Sequence, residues 1–540
     1  MIETQSLDRR RFLEIAGIAA PLAAARCSTP NSGPTQGTRP NIVVIMSDDM
    51  GYSDLGCYGG EIETPNLDRL ASEGVRFTRF YTNNMCVPTR ASLLSGCYTT
   101  KSLGPEGGIS ENIVTAAEAL GVAGYSTYMS GKWHLANDGS RENLPCQRGF
   151  DRFFGTTLGA CSFWTPASLM LDNEPAEHLY LDPDFYYTDA ISNYALDFMQ
   201  EGLDKQEPFF LYVAYTAAHW PLHAFEEDIA PYAGRYSGGW DALRDERHER
   251  MKNLGTVDPA WKLSPRNPEV PSWADEPHKA WQQRRMEVYA AQITRMDQGI
   301  GKLLDLLDES GEADKTLVVF QIDNGGCHVE YAPDRKGPYL PETTRDGRPV
   351  IPGNIPNVMP GPENTYQSYG YGWANASNTP FRLYKQHDHE GGITVPLIAR
   401  WPKAISQPGS MTGQLAHVID LMPTFLDAAG IEQPSEFEGR PVHAMDGASL
   451  VPILRGGTRQ PPGELYWQWS RGRAVRQGRW KLVAVRNSAW ELYDLETDGT
   501  ELHDRAGEMP GRVAAMEQLW NTWKAGPTPL SPEPSPRALE

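Results

Sequence analysis

The fold is decided by the run Asn41-Ile42-Val43-Val44-Ile45-Met46, an apolar and largely β-branched stretch. A strand that is apolar on both faces is typical of the interior of a parallel sheet that helices cover on both sides. Two carboxylates, Asp48 and Asp49, follow this run almost at once. The sequence therefore predicts a buried central strand that ends in acidic side chains.

The same pattern occurs twice more along the chain. Residues 209–215 (FFLYVAY) precede His219, and residues 316–322 (TLVVFQI) precede Asp323 and Asn324. Because parallel strands end at one edge of a sheet, and ligands bind beyond that edge in α/β folds, we expect these polar residues to meet there.

Helices are predicted between the strands. From position 289 to position 307, apolar residues recur at steps of three and four, the pattern of an amphipathic helix packed on a sheet. A further strand is predicted at residues 395–399. Alternating strands and helices predict an α/β fold, with a large mixed and mostly parallel sheet sandwiched between helices. The Gly-, Pro- and Tyr-rich residues 326–378 lack periodicity and are predicted to form long loops over the carboxyl edge.

The pattern changes near residue 460. Aromatic-rich strands are predicted at residues 465–469, 479–483 and 490–495, and a helix at residues 513–523. We therefore divide the folded body into a large domain, residues 41–460, and a smaller C-terminal α+β subdomain, residues 461–540, with an antiparallel sheet and a terminal helix.

Composition restricts the class of protein. A chain of 540 residues with 40% hydrophobic and 22% charged residues is long enough for two domains and has the balance of a folded protein. The formal net charge of −20 and the absence of a long basic run argue against a nucleic-acid partner. An anionic ligand must therefore meet positive charge locally.

The first residues are predicted to be an export signal. The run Arg9-Arg10-Arg11 precedes an apolar stretch that is too short to be a permanent membrane span. It resembles a twin-arginine signal, which implies the twin-arginine export machinery as a partner and a periplasmic location. We assign residues 1–26 to the signal and residues 27–40 to a flexible linker. A lipid anchor at Cys27 is disfavoured because Arg26 precedes it, and a secreted protein is the other alternative.

The seven cysteines are scattered without a C-x-x-C pattern. Such spacing argues against a zinc site and against a dense disulfide scaffold. One or two disulfides remain open, and the odd count leaves one cysteine available for chemistry.

A cation site is predicted from hard oxygen donors. Asp48, Asp49, Asp323 and Asn324 occupy two predicted strand ends, and clustered carboxylates repel one another unless a cation lies between them. Oxygen donors favour Ca²⁺ or Mg²⁺ over Zn²⁺, and we prefer Ca²⁺. Each residue alone has an alternative interpretation as a cap or turn former.

Cys86 begins the run Cys86-Val87-Pro88-Thr89-Arg90, and a helix is predicted to start within residues 89–96 (TRASLLSG), with Pro88 near its first turn. This stretch resembles the signature of the type I, formylglycine-dependent sulfatases of the alkaline phosphatase superfamily. The resemblance implies that a formylglycine-generating maturase oxidises Cys86 to an aldehyde (3-oxoalanine) before folding. It extends from Asn41 to about Asp504, with further motifs in the family's order.

The resemblance also implies a metal site. Asp48 and Asp49 match the family's first metal pair, and Asp323 and Asn324 match the second. Formylglycine at position 86 would complete the calcium sphere together with an oxygen of the substrate sulfate.

Catalytic roles are implied in the same way. Arg90 matches the arginine that neutralises the metal carboxylates, while Lys132 and His134 match the pair beside the formylglycine. His219 resembles the sulfate-binding histidine, and Lys385 resembles the lysine on the scissile oxygen. A hydroxyl of the hydrated aldehyde would attack sulfur, the alcohol would leave with a proton from the His219 and Lys385 side, and the second hydroxyl, assisted by His134, would expel sulfate. If the segment is extended, Lys132 and His134 share one face.

The function expected from this resemblance is hydrolysis of an aryl or carbohydrate sulfate monoester. A phosphonate monoester or phosphodiester hydrolase of the same superfamily is one alternative, and a non-catalytic protein that binds sulfated glycans, with Cys86 left unmodified, is another. Aromatic side chains are expected either to stack on a sugar or aryl ring or to pack the loops together. They are Phe163, Trp164, Tyr366, Tyr369, Tyr371 and Trp373.

Overall fold

A computed structural model describes residues 39–104, 107–136, 139, 141–470, 472–485 and 488–526. The predicted export signal, residues 1–26, lies outside these residues, as do residues 27–38 of the predicted linker. The elements described below all belong to the compact unit Arg39–Glu540.

The strands, in chain order, are β1 (Asn41–Ser47), β2 (Val75–Tyr81), β3 (Ser126–Gly131), β4 (Arg152–Thr156), β5 (Leu169–Leu171), β6 (Glu174–Pro175), β7 (Phe209–Ala214), β8 (Thr316–Ile322), β9 (Ile351–Pro352), β10 (Thr365–Tyr366), β11 (Thr394–Arg400), β12 (Ser410–Thr412), β13 (Ala416–His417), β14 (Glu436–Phe437), β15 (Arg440–Pro441), β16 (Glu464–Trp469), β17 (Gly472–Gln477), β18 (Trp480–Ala484) and β19 (Glu491–Asp494).

The α-helices are α1 (Pro65–Glu73), α2 (Cys86–Ser95), α3 (Thr99–Ser102), α4 (Ala116–Val122), α5 (Tyr187–Lys205), α6 (Glu226–Ile229), α7 (Gly239–Leu254), α8 (Lys279–Glu309), α9 (Gly370–Ser377), α10 (Glu390–Ile393), α11 (Leu421–Ala429), α12 (Val451–Leu454) and α13 (Pro510–Lys524). Among the described residues, no helix is both long and apolar enough to cross a membrane.

One large sheet organises the chain in the order β12, β2, β11, β8, β1, β7, β3, β4, β5 and β6, with β13 paired to β2. β1 lies between β7 and β8 and runs parallel to both, with Val43 opposite Leu211 on one side and Val318 on the other. Every residue of these three strands is buried, as their apolar sequences predict.

The strand at residues 394–400, β11, runs antiparallel to both β8 and β2. The sheet is therefore mixed and mostly parallel. α5 packs against β3, β4 and β7, and α8 packs on α5 and α1 and buries the predicted apolar positions, including Tyr289, Ile293 and Met296. The predicted fold class is confirmed.

The last strands form a separate antiparallel sheet in the order β16, β17, β18 and β19. Helix α13 covers one face, where the Trp520 indole donates to the carbonyl of Trp467 at 3.1 Å. The other face shares a hydrophobic cluster with Tyr81 and Ile393 of the large domain. The sequence predicted β16, β18 and β19 but missed β17. The domain division at residue 460 stays a prediction.

Buried ion pairs also join this small sheet to the large domain. The Lys481 amine lies 2.7 Å from Glu390 Oε1 and 2.9 Å from Glu501 Oε1, and all three side chains are buried. Glu390 follows the segment that carries Lys385, so these ion pairs hold that segment against β18 and the residues beyond β19.

Candidate active site

The site begins where β1 and β8 end side by side. Ser47 is opposite Ile322 in the parallel register, so the next residues, Asp48 and Asp323, emerge at the same edge. The backbone N–H of Asp49 donates to Asp323 Oδ1 at 3.1 Å. Asp49 has a φ of 60°, in the left-handed region, which turns the chain directly after the strand. The three carboxylates are buried.

The oxygen donors at this edge fit a hard cation. Asp48, Cys86 and Asp323 form one group whose potential ligand atoms lie within 4.8 Å of one another, and Asp48, Asp49 and His219 form another. The Asn324 amide donates to Asp49 Oδ1 at 2.7 Å. In the part of the chain that the structure describes, Asp48 Oδ1 and Asn324 Oδ1 are buried without a hydrogen-bond partner. Carboxylate and amide oxygens are ligands that Ca²⁺ and Mg²⁺ prefer.

Three cationic side chains converge on the carboxylates. The Lys132 amine contacts Asp48 Oδ2, and the Lys385 amine donates to both oxygens of Asp49 at 2.7 and 2.8 Å. Arg90, fully buried in α2, reaches Asp323 Oδ2 at 3.1 Å and Asp48 Oδ2 at 3.4 Å. The predicted site residues therefore lie together, and their charges nearly balance.

These contacts shift the pKa values of the carboxylates in different directions. Burial acts to raise the pKa of Asp48, but Lys132 and the other nearby cations outweigh it and hold this pKa below its usual range. Burial and the neighbouring charge of Asp48 raise the pKa of Asp323 to about 8. Although burial opposes it, the Asp49 carboxylate keeps the pKa of Lys385 well above its ordinary value.

Cys86 is the first residue of α2 and is 2% exposed. Its Sγ lies 3.3 Å from Nδ1 of His134. Burial raises the pKa of the Cys86 thiol, and burial together with the Lys132 charge lowers the pKa of His134 well below its ordinary value. The unmodified side chain is therefore a protonated thiol beside a neutral imidazole, a weak nucleophile in comparison with a thiolate.

The condition under which Lys132 and His134 would share one strand face, an extended segment, is not met. β3 ends at Gly131, and His134 has a φ of 59°, in the left-handed region. Gly159 packs against the imidazole, because a Cβ added there would lie 2.2 Å from His134 Cε1. Lys132 and His134 still reach the same site, but through a turn instead of a shared strand face.

His219 faces Asp49 from the end of β7. Its Nδ1 lies 2.7 Å from the carbonyl oxygen of Trp220, and since a carbonyl only accepts, Nδ1 carries the hydrogen. Nε2 is directed at Asp49 Oδ2, 3.3 Å away. Burial lowers the pKa of His219 to about 4.

Four further residues belong to the surroundings of this site but were not predicted. Tyr212 Oη accepts from Arg90 Nη1 at 3.4 Å, and burial with the Asp49 charge raises the pKa of the Cys327 thiol. Asn84 and Asp388 are hydrogen-bonded to each other next to Cys86 and Lys385. Tyr212 could have been found from the sequence, because its hydroxyl lies in an otherwise apolar strand. The contacts of Cys327, Asn84 and Asp388 depend on tertiary packing and could not.

Most of the aromatic side chains proposed for ring stacking do not face an open cleft. Phe163, Trp164, Tyr366, Tyr369 and Trp373 are buried and pack on other rings, which supports the alternative that they pack the loops together. Tyr371 is half-buried. His389 is also buried, and its Nε2 lies 3.0 Å from Glu491 Oε2.

The described cysteines are all free thiols, so no disulfide forms among Cys57, Cys86, Cys97, Cys146, Cys161 and Cys327. Cys27 lies outside the described residues.

Two family models match the chain. The sulfatase family matches residues 40–431, and the family described as N-sulphoglucosamine sulphohydrolase, C-terminal, matches residues 381–522. The second match includes Lys385 and the whole small sheet.

Curated relatives match over most of their length. An uncharacterised sulfatase of Schizosaccharomyces pombe is 33% identical over 83% of this chain and 86% of its own. The arylsulfatase of Klebsiella aerogenes is 33% identical over 80% of this chain and 95% of its own.

Solved structures share the fold. Ps i-CgsB in complex with k-i-k-neocarrahexaose has a TM-score of 0.65 and 24% identity, covering 93% of this chain and 96% of that chain. The phosphonate monoester hydrolase of Agrobacterium radiobacter has a TM-score of 0.56 and 19% identity, covering 90% of this chain and 96% of that chain.

Proposed function

This chain belongs to the sulfatase family, a family of sulfuric ester hydrolases within the alkaline phosphatase superfamily, and from that premise we propose its chemistry. The substrate is an aryl or carbohydrate sulfate monoester, the nucleophile is a formylglycine made from Cys86, and the metal is Ca²⁺. The two alternatives, a phosphonate monoester or phosphodiester hydrolase and a non-catalytic glycan-binding protein, are outcomes of the experiments below.

One observation carries the proposal. Cys86 Sγ lies within 4.8 Å of oxygens of Asp48 and Asp323, at the point on which Lys132 and Lys385 converge. A binding protein would need cations for the sulfate but no nucleophile beside the metal carboxylates. The arrangement supports attack on a group that is held between the two lysines.

Asp48, Asp49, Asp323 and Asn324 would hold the cation, which would supply positive charge to the oxygens of the bound ester. The hydrated aldehyde at position 86 would supply the attacking hydroxyl and the hydroxyl that later expels sulfate.

The remaining steps belong to the side chains around the ester. Lys132 and Lys385 would transfer their contacts from Asp48 and Asp49 to the sulfate oxygens, where negative charge is held during the reaction. Arg90 would keep Asp48 and Asp323 in place by charge-assisted hydrogen bonds.

Proton transfers have defined positions. The departing oxygen would receive its proton on the side of His219 and Lys385. Nδ1 of His219 carries the hydrogen that bonds to the Trp220 carbonyl and burial keeps the ring neutral, so Nε2 is unprotonated and the proton would come from the Lys385 ammonium. The His134 imidazole is neutral and directs Nδ1 at position 86, so it is able to accept a proton there.

We also propose, from the sequence of residues 1–26, that the chain leaves the cytoplasm through the twin-arginine machinery and works in the periplasm. Since that route carries folded proteins, the maturase would oxidise Cys86 before export.

Mass spectrometry of the tryptic peptide at residues 80–90 tests the nucleophile. Formylglycine is about 18 Da lighter than cysteine, and the same peptide from a host without a maturase provides the unmodified reference. A fully unmodified peptide from a maturase-competent host would contradict the proposed chemistry and favour the binding protein.

Paired kinetics test the reaction. We expect 4-nitrophenyl sulfate to be hydrolysed with a higher kcat/KM than 4-nitrophenyl phenylphosphonate, and Cys86→Ala to abolish both activities. A preference for the phosphonate by orders of magnitude would favour the hydrolase of phosphorus esters.

A further inference from the structure

The loop that leaves β8 passes along the site and then reaches Trp220. Two residues beyond Asn324, the carbonyl of Gly326 accepts a hydrogen bond from the backbone N–H of Lys385 at 3.2 Å. Farther along, the Tyr331 ring lies 5.1 Å from the ring of Trp220. The loop therefore connects the carboxylates to the residue that follows His219.

Trp220 is in direct contact with the catalytic histidine. Its ring lies 4.4 Å from the imidazole of His219, whose Nε2 faces Asp49. Trp220 is 9% exposed, and Tyr331 and Tyr339 pack on it with ring distances of 5.1 and 5.4 Å. These rings form an aromatic platform next to the site.

Arg335 lies on this platform. Its guanidinium carbon is 5.3 Å from the ring centroid of Trp220 and 5.3 Å from that of Tyr331. Its Nε donates to Tyr339 Oη at 3.1 Å. Cation–π contacts and this hydrogen bond hold the half-buried side chain in one orientation, so little conformational entropy would be lost when a ligand binds it.

The terminal nitrogens of Arg335 have no acidic partner among the residues that the structure describes, and none of the described hydrogen bonds uses them. The buried arginines Arg247 and Arg285 differ, since Arg247 pairs with Asp54 at 2.6 Å and Arg285 pairs with Glu330 at 2.8 Å. A guanidinium whose two terminal nitrogens are available matches the paired oxygens of a carboxylate or a sulfate.

Because the whole chain is strongly negative, a local cation such as Arg335 affects which anionic substrates can bind. At a formal net charge of −20, the protein repels a substrate with two negative charges more strongly than one with a single charge. In the proposed mechanism, Lys132 and Lys385 already bind the oxygens of the ester sulfate. A second anionic group would need its own positive partner outside that pair.

We propose that Arg335, on the platform of Trp220, Tyr331 and Tyr339, is a second anion subsite. It selects sulfate esters whose alcohol part carries another anionic group, a carboxylate or a second sulfate, as acidic saccharides do. This inference rests on the proposed function, because it names the substrate class of the same site.

The experiment compares matched ligands with one and two anionic groups. The aryl pair is 4-nitrophenyl sulfate and 3-carboxy-4-nitrophenyl sulfate, assayed as substrates. The saccharide pair is N-acetylglucosamine 6-sulfate and glucosamine 2-N,6-O-disulfate, assayed as competitors against 4-nitrophenyl sulfate. The variants are Arg335→Ala, Arg335→Lys and the control Arg348→Ala, which removes an exposed arginine that pairs with Asp346.

For Arg335→Ala, we expect the KM or inhibition constant of at least one dianionic ligand to rise about tenfold, because one charge-assisted pair is lost. With 4-nitrophenyl sulfate as the substrate, both kcat and KM should stay within about twofold of the wild-type values. Arg335→Lys should recover part of the loss, and Arg348→Ala should change the kinetics of neither class of ligand.

Two results would overturn the subsite. Equal losses on monoanionic and dianionic ligands would mean that Arg335 only supports Trp220, and no loss on any ligand would mean that it binds none of them. Failure of the proposed function is distinguishable, since wild-type protein with oxidised Cys86 would then leave 4-nitrophenyl sulfate intact.

Discussion

The Asn84 side-chain amide donates to Asp388 Oδ1 at 2.6 Å. The backbone N–H of Gln386, two residues before Asp388, donates to the Asn84 carbonyl at 2.8 Å. Asn84 is two residues from Cys86, and Gln386 follows Lys385. Gly472 of β17 closes over this contact, where a Cβ would lie 2.5 Å from Asp388 Oδ2. The distance between Cys86 and Lys385 thus depends on a hydrogen-bonded pair outside the site itself.

Replacing Asp388 should therefore change catalysis. In Asp388→Ala the two segments lose a side-chain bond, and we expect kcat for 4-nitrophenyl sulfate to fall about tenfold because the reacting groups are misplaced. Asp388→Asn retains an oxygen for the Asn84 amide and should recover most of the activity. Equal activity in both variants, at equal formylglycine content, would show that the pair does not position the site.

The same residue should make stability depend on pH. Burial raises the pKa of Asp388 to about 7, although Lys481 and Asn84 oppose this. Ionisation of Asp388 therefore destabilises the folded state. This destabilisation is absent below the unfolded pKa of about 4, increases as the pH rises towards the folded pKa, and is constant above it. Asp388→Asn removes it.

Thermal unfolding measures this effect. The Tm of Asp388→Asn should exceed that of the wild type by a few degrees at about pH 8, and the difference should vanish near pH 4. Asp346→Asn, at an exposed position, is the control. A difference that is independent of pH would contradict the assignment.

Calcium should stabilise the protein through Asp49 and Asp323. Binding to the folded state alone raises Tm with ligand concentration, so we expect a rise of several degrees in millimolar Ca²⁺, a smaller one in Mg²⁺, and reversal by a chelator. Asp323→Asn should abolish the rise and Asp346→Asn should keep it. An unchanged response in Asp323→Asn would place the cation elsewhere.

Gly159→Ala should displace the imidazole of His134. The added Cβ would lie 2.2 Å from Cε1, so the ring must move away from position 86, and we expect kcat to fall about tenfold with little change in KM. Gly463→Ala is the matched control, because nothing lies within 4 Å of a Cβ there. Full activity in Gly159→Ala would show that the His134 position is not required.

Replacement of both Arg9 and Arg10 by lysine should retain the chain in the cytoplasm. Since the maturase is expected to act before folding, the retained protein should already carry formylglycine at position 86. Cell fractionation followed by mass spectrometry of residues 80–90 measures both properties. Retained chains with intact cysteine would contradict oxidation before export.

The sequence predicted the centre of the fold because its signals are local. Apolar runs such as residues 41–46 and 316–322 contain their own burial pattern, and parallel pairing then brings Asp48 next to Asp323. The strand β17 was missed because Arg473 and Arg476 interrupt its apolar positions. Arg476 is nevertheless buried and contacts Tyr81, a partner far away in the sequence.

The surroundings of the site were less predictable because they depend on tertiary contacts. His134 has a left-handed backbone and its ring packs against Gly159, and the Asn84 and Asp388 pair joins residues 304 positions apart. The aromatic loops were open to two interpretations, since a ring that stacks on a ligand and a ring that fills a core have the same composition.

The buried pairing of Lys481 with Glu390 and Glu501 also has a consequence for the timing of synthesis. A ribosome produces Cys86 early, whereas Lys481 and Glu501, which fix the segment of Lys385, emerge near the end. A growing chain consequently passes through a long interval in which the cysteine is already outside the ribosome and the walls of its pocket do not yet exist. The proposed maturase would have that interval to reach an uncovered Cys86, and the pocket closes only when translation is nearly complete.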